Sequence, residues 1–176
     1  MQGKSLAALA GVLVVLVAPS SGSARSAGAV GASARMQSAL LAQVNAVRSA
    51  RGLVRLRLAT GLNAAASAHS TQMARLGYFS HNSANGSSFS KRISSYYRLQ
   101  GYRSWAVGEN LVWSTPDLSA VRALKLWLAS PPHRANLLDP RWREVGLSAV
   151  HAESAPGVYG GMPATIVTAD FGVRSR

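Results

Sequence analysis

Three short runs hold the residues best suited to chemistry: Phe79-Ser80-His81, Gly108-Glu109-Asn110, and the segment Trp127-Leu128-Ala129-Ser130-Pro131-Pro132-His133-Arg134-Ala135-Asn136-Leu137. Each sets one ionisable group, His81, Glu109 or His133, beside a structure-breaking residue or at the end of an apolar helical pattern. Two imidazoles and a carboxylate on separate segments suit a shared polar pocket, a metal site or an acid/base pair. Pro131 fits the first position of a short helix capped by Ser130, which puts His133 in its first turn. A helix N-terminus disfavours the imidazolium, so His133 is expected neutral near pH 7. Alone, it reads equally well as a ring packed under the Trp127 helix end. Glu109 follows a glycine that permits close approach and precedes an asparagine that bonds local backbone. An exposed loop acid, or a surface partner of one of the many arginines, is its plainer reading. His69 lies in a helix interior and reads as packed and structural, and His151 lies near a strand end and carries no role.

The elements that must position these groups follow from periodicity. Met36, Leu40, Leu41, Val44 and Val47 predict a helix over about 34–50, stopped by Gly52. Leu53, Leu56 and Leu58 lie in an extended connector. Thr60 is the predicted cap of a second helix that bears Leu62, Ala65, Ala66, His69, Met73 and Leu76 and closes at Gly77. Residues 82–88 read as a loop, 89–100 as a short helix, and 111–113 as a short strand. Thr115-Pro116-Asp117 predicts another helix start. Residues 145–150 and 165–171 read as strands, an antiparallel pair joined by a long loop. Helices first and strands last give an α+β fold class.

Length and composition bound the rest. A chain of 176 residues suits one domain with a real core. Lys4, the apolar run 6–18 and the small residues to Ala24 have the order of a secretory signal peptide, ending after Ala18 or Ala24. The run is shorter than a spanning helix of roughly 20 residues, and a retained membrane anchor is the rival reading. The domain reading is therefore a signal peptide over 1–24, a flexible linker over 25–34 and one domain over 35–176. The chain has no cysteine, so disulfides and a lipid-modified cysteine are excluded. Its net charge is +13, carried by arginines except at Lys4, Lys91 and Lys125. Such a balance favours anionic partners, and an Ala-, Arg- and Gly-rich composition explains it equally well. Basic and aromatic side chains interleave over 91–105, a pattern that suits base stacking or a lipid interface and more often a half-buried helix face. No Gly-x-Ser-x-Gly elbow, His-Glu-x-x-His, phosphate-binding glycine loop or dinucleotide fingerprint is present.

In this order and spacing the runs resemble the CAP superfamily (SCP or PR-1-like domains), in its bacterial exported form. Asn45, Arg48, Gly101-Tyr102, Val145-Gly146 and Asp170-Phe171-Gly172 extend the resemblance over roughly 40–173. It implies an α-β-α sandwich, with a small antiparallel sheet between helical layers and a groove on one side. It also implies a groove of two histidines and two glutamates, of which His81, Glu109 and His133 look like three. Ser130 stands where the second glutamate belongs, and Glu144 is a possible substitute. The implied ligand set is His81 and His133 around Zn²⁺ or another divalent cation, completed by Glu109 or water. Three functions follow as expectations. The first is an exported binding module for a metal and a ligand or peptide. The second is a metal-assisted hydrolase of peptide or cell-wall material with Glu109 as base. The third is an envelope- or lipid-binding protein meeting anionic lipid or polymer through 91–105. Nucleic acid is not an expected partner, and the expected location is secreted, periplasmic or at the cell envelope.

Overall fold

The computed structural model describes residues 24–176, with side chains from residue 34 onward. The segment read as a signal peptide lies outside the described residues except for Ala24, where helix α1 (Ala24–Ser49) begins. The helix therefore starts ten residues before the apolar periodicity does and runs through 25–34, the stretch read as a linker. Alanine, the strongest helix former, recurs there and favours continuation of the helix. No helix among the described residues is long and apolar enough to cross a membrane.

The order continues as β1 (Arg57–Leu58), α2 (Thr60–Leu76), α3 (Phe89–Tyr96), β2 (Ser104–Ser114), α4 (Ala120–Ala129), α5 (Pro131–Leu137), β3 (Glu144–Ala152), a 3-10 turn (Gly157–Tyr159) and β4 (Ala164–Ser175). The strands form one sheet in the order β1-β3-β4-β2. β2, β4 and β3 run antiparallel, and two-residue β1 adds a parallel edge to β3. The sheet is thus mixed, where an antiparallel one was expected.

Alternation along the strands sorts the two faces. Val145, Leu147, Ala149, Val167, Ala169 and Phe171 point to α1, α4 and α5 and pack with Leu40, Val44, Leu124, Trp127 and Trp142. Ala164, Ile166, Leu111 and Trp113 point to α2 and the 3-10 turn, beside Met73, Ala74 and Tyr159. The α+β fold and α-β-α layering expected from the sequence are both present. Burying a side chain such as Leu40 or Phe171 stabilises by about 1.5–3 kcal/mol.

Two polar residues of α1 tie the layers together. Asn45 Nδ2 donates to the Leu56 carbonyl at 3.0 Å, and its Oδ1 accepts from the Leu56 amide at 2.7 Å. Arg48, fully buried, donates to the carbonyls of Val54, Leu137 and Asp139. One guanidinium thereby fixes the end of α5 relative to α1.

Several element limits differ from those predicted. Ala59, not Thr60, occupies the N-cap of α2, and Thr60 is its first helical residue. α3 ends at Tyr96 because Tyr97 leaves helical conformation and buries its ring beside Leu62. α4 starts at Ala120 rather than at Thr115-Pro116-Asp117, because the Ser119 hydroxyl caps it by accepting from the Arg122 amide at 3.3 Å. β2 begins at Ser104, so Gly108-Glu109-Asn110 lies inside a strand rather than before one.

Candidate functional site

The chain around His81 is held from both sides. Gly77 closes α2 in the left-handed conformation (φ 72°), which a side chain disfavours. Its carbonyl accepts from the Val158 amide at 2.9 Å, and the Tyr159 hydroxyl donates to the Tyr78 carbonyl at 2.8 Å. His69, about two turns before Gly77 on α2, donates from Nε2 to the Ser80 carbonyl at 2.8 Å. Phe79 and His81 therefore leave α2 on a braced segment.

Glu109 is the centre of the polar cluster. Its side chain is fully buried, and Oε1 accepts from His81 Nδ1 at 2.8 Å. Oε2 is ion-paired and hydrogen-bonded to Arg92 of α3. Arg92 also donates to the His81 carbonyl and the Ser83 hydroxyl, each at 3.1 Å. A carboxylate only accepts, so the proton of that contact sits on His81 Nδ1. Nε2 is left as the uncommitted nitrogen of a half-exposed ring. Glu109 is neither the exposed loop acid nor the surface arginine partner of its plainer readings: it is a buried anion with both oxygens engaged.

Asp170 of β4 lies directly across from Glu109 in the sheet register. It is fully buried, and neither carboxyl oxygen has a hydrogen-bond partner among the described residues. Burial first, then the charge of Glu109, pushes its pKa well above the ordinary carboxylate value. His69 is also fully buried, and its pKa is lowered to about 4, chiefly by burial, against the attraction of Glu109. The sequence reading of His69 as a packed residue stands, with the addition that it supports the His81 segment.

His133 is the third residue of α5, and its position is fixed by asparagines. Asn110 Nδ2 donates to the His133 carbonyl at 2.9 Å, and Asn136 Nδ2 donates to Asn110 Oδ1 at 3.0 Å. Trp142 Nε1 closes the chain on the Asn136 carbonyl at 2.8 Å. The expected neutrality of His133 has a different main cause. Burial lowers its pKa first, and the proximity of His81 lowers it further. Ser130 occupies the N-cap of α5 with no side-chain capping bond. Its carbonyl, rather than its hydroxyl, serves the helix, accepting from Arg134 at 2.8 Å.

His133 and Ser130 line a cavity of about 340 Å³ with Phe79, Val112, Trp113 and Trp127. Phe79 meets Trp113 edge-on at 6.5 Å, and Trp113 meets Tyr159 at 4.9 Å. The floor is β2, which lies at an edge of the sheet and, among the described residues, pairs with β4 alone. The structure thus joins His81 to Glu109 and couples His81 electrostatically to His133, with Ser130 beside His133. Glu144 does not join them, because it is taken up by Arg57 and Arg174, at 3.6 and 3.3 Å, and by Tyr97. His151 bonds Thr165 and lines a separate cavity with Met36, Ala39 and Leu118, away from His81 and His133.

Sequence reasoning did not assign Arg92 or Asp170 to the site. A lone acid inside the apolar run 165–171 was the available signal for Asp170, because a buried carboxyl needs compensation. The donor set bears on the implied metal. His81 Nε2 and a neutral His133 are suitable imidazole donors, and Glu109 stands behind His81 as a carboxylate that orients a ligating histidine does. No group of three or more His, Asp or Glu side chains able to hold an ion occurs among the described residues. His81 and His133 are the two groups that would hold such an ion, with solvent completing its shell.

Comparison with known proteins agrees with this architecture. An extracellular SCP-domain protein of Bacillus anthracis shares 25% identity at a TM-score of 0.62, over 82% of this chain and 41% of its own length. An outer surface protein of Borrelia burgdorferi matches at 19% identity and a TM-score of 0.60, over 77% of this chain and 90% of its own. A cysteine-rich secretory protein of Staphylococcus aureus matches at 16% identity and a TM-score of 0.55, over 82% of this chain and 40% of its own. The chain thus spans about two fifths of the Bacillus and Staphylococcus proteins. No curated protein sequence matches. The sequence profile of the Cysteine-rich secretory protein family (CAP) matches residues 41–171, about three quarters of the chain and all the residues of the site, and the chain belongs to the CAP family.

Proposed function

We propose that this chain is an exported CAP-domain binding protein. Its groove takes an extended, peptide-like ligand, with a divalent cation such as Zn²⁺ held by His81 and His133. The observation that carries this reading is an aromatic cavity along the free edge of β2, with an oriented imidazole and a neutral imidazole beside it. An edge strand offers main-chain groups to an extended peptide, and Phe79 and Trp113 offer apolar contact. Export is supported by the extracellular and outer-surface character of the Bacillus and Borrelia proteins.

The hydrolase reading needs a free carboxylate oxygen on Glu109 to take a proton from water. Both oxygens are engaged, and the side chain has no exposed surface. Binding is therefore the better reading of the same residues, with Glu109 as a positioning residue for His81.

Calorimetric titration of the chain with Zn²⁺, repeated on His81→Ala and His133→Ala, tests the cation site. Binding in the wild type that is lost in both variants supports the reading, and no binding in the wild type refutes the cation part. A mixed hexapeptide pool that shifts tryptophan emission in the wild type but not in Phe79→Ala supports the peptide part. An unchanged emission in both removes it.

A further inference from the structure

Six of the nineteen basic residues of this chain gather at one end of the sheet. The Arg57 amide donates to the Arg143 carbonyl at 3.0 Å, and the Arg143 amide to the Gly172 carbonyl at 3.1 Å. The Arg103 amide donates to the Ser175 carbonyl at 2.9 Å, and the Arg174 guanidinium reaches the Arg98 carbonyl at 3.3 Å. With Arg176 one residue further on, six arginines meet where β2 begins and β4 ends. The acid paired into this group is Glu144, bound by Arg57 and Arg174. Arg98, Arg103, Arg143 and Arg176 have no carboxylate within ion-pair distance among the described residues, and all four are exposed. Arg174 lies over the rings of Tyr97 and Tyr102 at 4.3 and 4.9 Å, which stiffens the cluster.

The same end exposes apolar side chains. Tyr96 is 46% exposed, Leu58 40% and Leu99 38%, on three segments around the arginines. A soluble polyanion needs only the cations. Arginines interleaved with exposed tyrosine and leucine match the headgroup layer of a bilayer, where phosphates lie beside the first carbons of the acyl chains.

We propose that this end of the sheet is a docking surface for an anionic phospholipid bilayer. The arginines take lipid phosphates, and Tyr96, Leu58 and Leu99 enter the headgroup layer. The eight residues along β2 from Trp105 to Val112 span about 23 Å at about 3.3 Å per residue. A chain docked this way stands its strands off the surface and leaves the groove in solution, so the two surfaces work at once.

The test is flotation of the full chain with phosphatidylcholine vesicles and with vesicles containing phosphatidylglycerol. The ratio of the two affinities cancels any contribution from the apolar run 6–18. The wild type is expected to prefer phosphatidylglycerol, less so at high salt. The triple variant Arg98→Ala/Arg103→Ala/Arg176→Ala is expected to lose that preference by about a hundredfold. Tyr96→Ser/Leu99→Ser is expected to lose about tenfold in vesicle binding. Both variants touch exposed side chains and should keep the wild-type unfolding transition. Equal binding to both vesicles, or a preference that survives the triple variant, overturns the proposal. So does a Tyr96→Ser/Leu99→Ser variant that binds vesicles like the wild type while soluble polyphosphate competes, because the surface then serves a polyanion.

Discussion

Acid should loosen this domain through one histidine, by an amount set by its burial. His69 is fully buried, with Nε2 bound to the Ser80 carbonyl and Nδ1 without a partner. Its pKa falls from 6.5 to about 4 on folding. The folded chain therefore resists a proton that the unfolded chain accepts below pH 6.5, so stability falls as pH drops and the loss is complete below the folded value. At about 1.36 kcal/mol per unit, the loss from pH 7 to pH 4 is about 3 kcal/mol, with roughly half of it by pH 5.3. For a domain of this size that lowers Tm by about 6–12 °C. The clean comparison is His69→Gln, which keeps an amide N–H directed at Ser80 and cannot titrate. Urea unfolding at pH 7, 5.5 and 4 should show the wild type losing about 3 kcal/mol more than the variant. Parallel lines for the two proteins would refute the claim that His69 is held neutral by burial.

Other perturbations follow from the same contacts. Glu109→Gln leaves Arg92 as an unpaired buried cation and should cost about 3–5 kcal/mol in urea unfolding. Adding Arg92→Met should recover part of that loss, and strictly additive losses would mean the pair is not coupled. Gly108→Ala would set its Cβ 2.4 Å from Asn136 Oδ1 and 2.9 Å from the Trp142 ring. It should cost about 1–3 kcal/mol, and it should also displace α5 and weaken Zn²⁺ binding by His133, read by calorimetry. Asn45→Ala breaks both bonds to Leu56 and should cost about 2–3 kcal/mol with Zn²⁺ affinity unchanged, since Leu56 adjoins β1 at one edge of the sheet and the groove lies along β2 at the other.

Much of this could be read before any coordinates. The helices carrying Leu40 and Val44, and Leu62 and Met73, follow from 3.6-residue spacing and a terminating glycine. The grouping of His81 with Glu109 is what the resemblance of their runs to the family implies. What was not legible is tertiary in origin. Gly108, Glu109 and Asn110 have poor strand propensity, yet they are in a strand because Gly108 lets Asn136 and Trp142 approach and Asn110 bonds α5. The depth of Glu109 depends on Arg92 reaching in from α3, and nothing in the local sequence specifies that pairing. Tyr97 ends α3 early because its ring gains more by packing under α2 than the helix gains from another turn. Glu144, the possible substitute for the missing glutamate, is instead taken up by Arg57 and Arg174, which only the strand pairing brings to it.

The central claim is that a buried carboxylate orients His81 beside a neutral His133. Long-range proton–nitrogen NMR of the four histidine rings tests it directly. At neutral pH the account predicts a proton on His81 Nδ1, an uncharged His133, and joint movement of these two rings on adding Zn²⁺ while His69 and His151 stay still. A His81 ring protonated only at Nε2, or Zn²⁺ shifts that bypass His81 and His133, would contradict it.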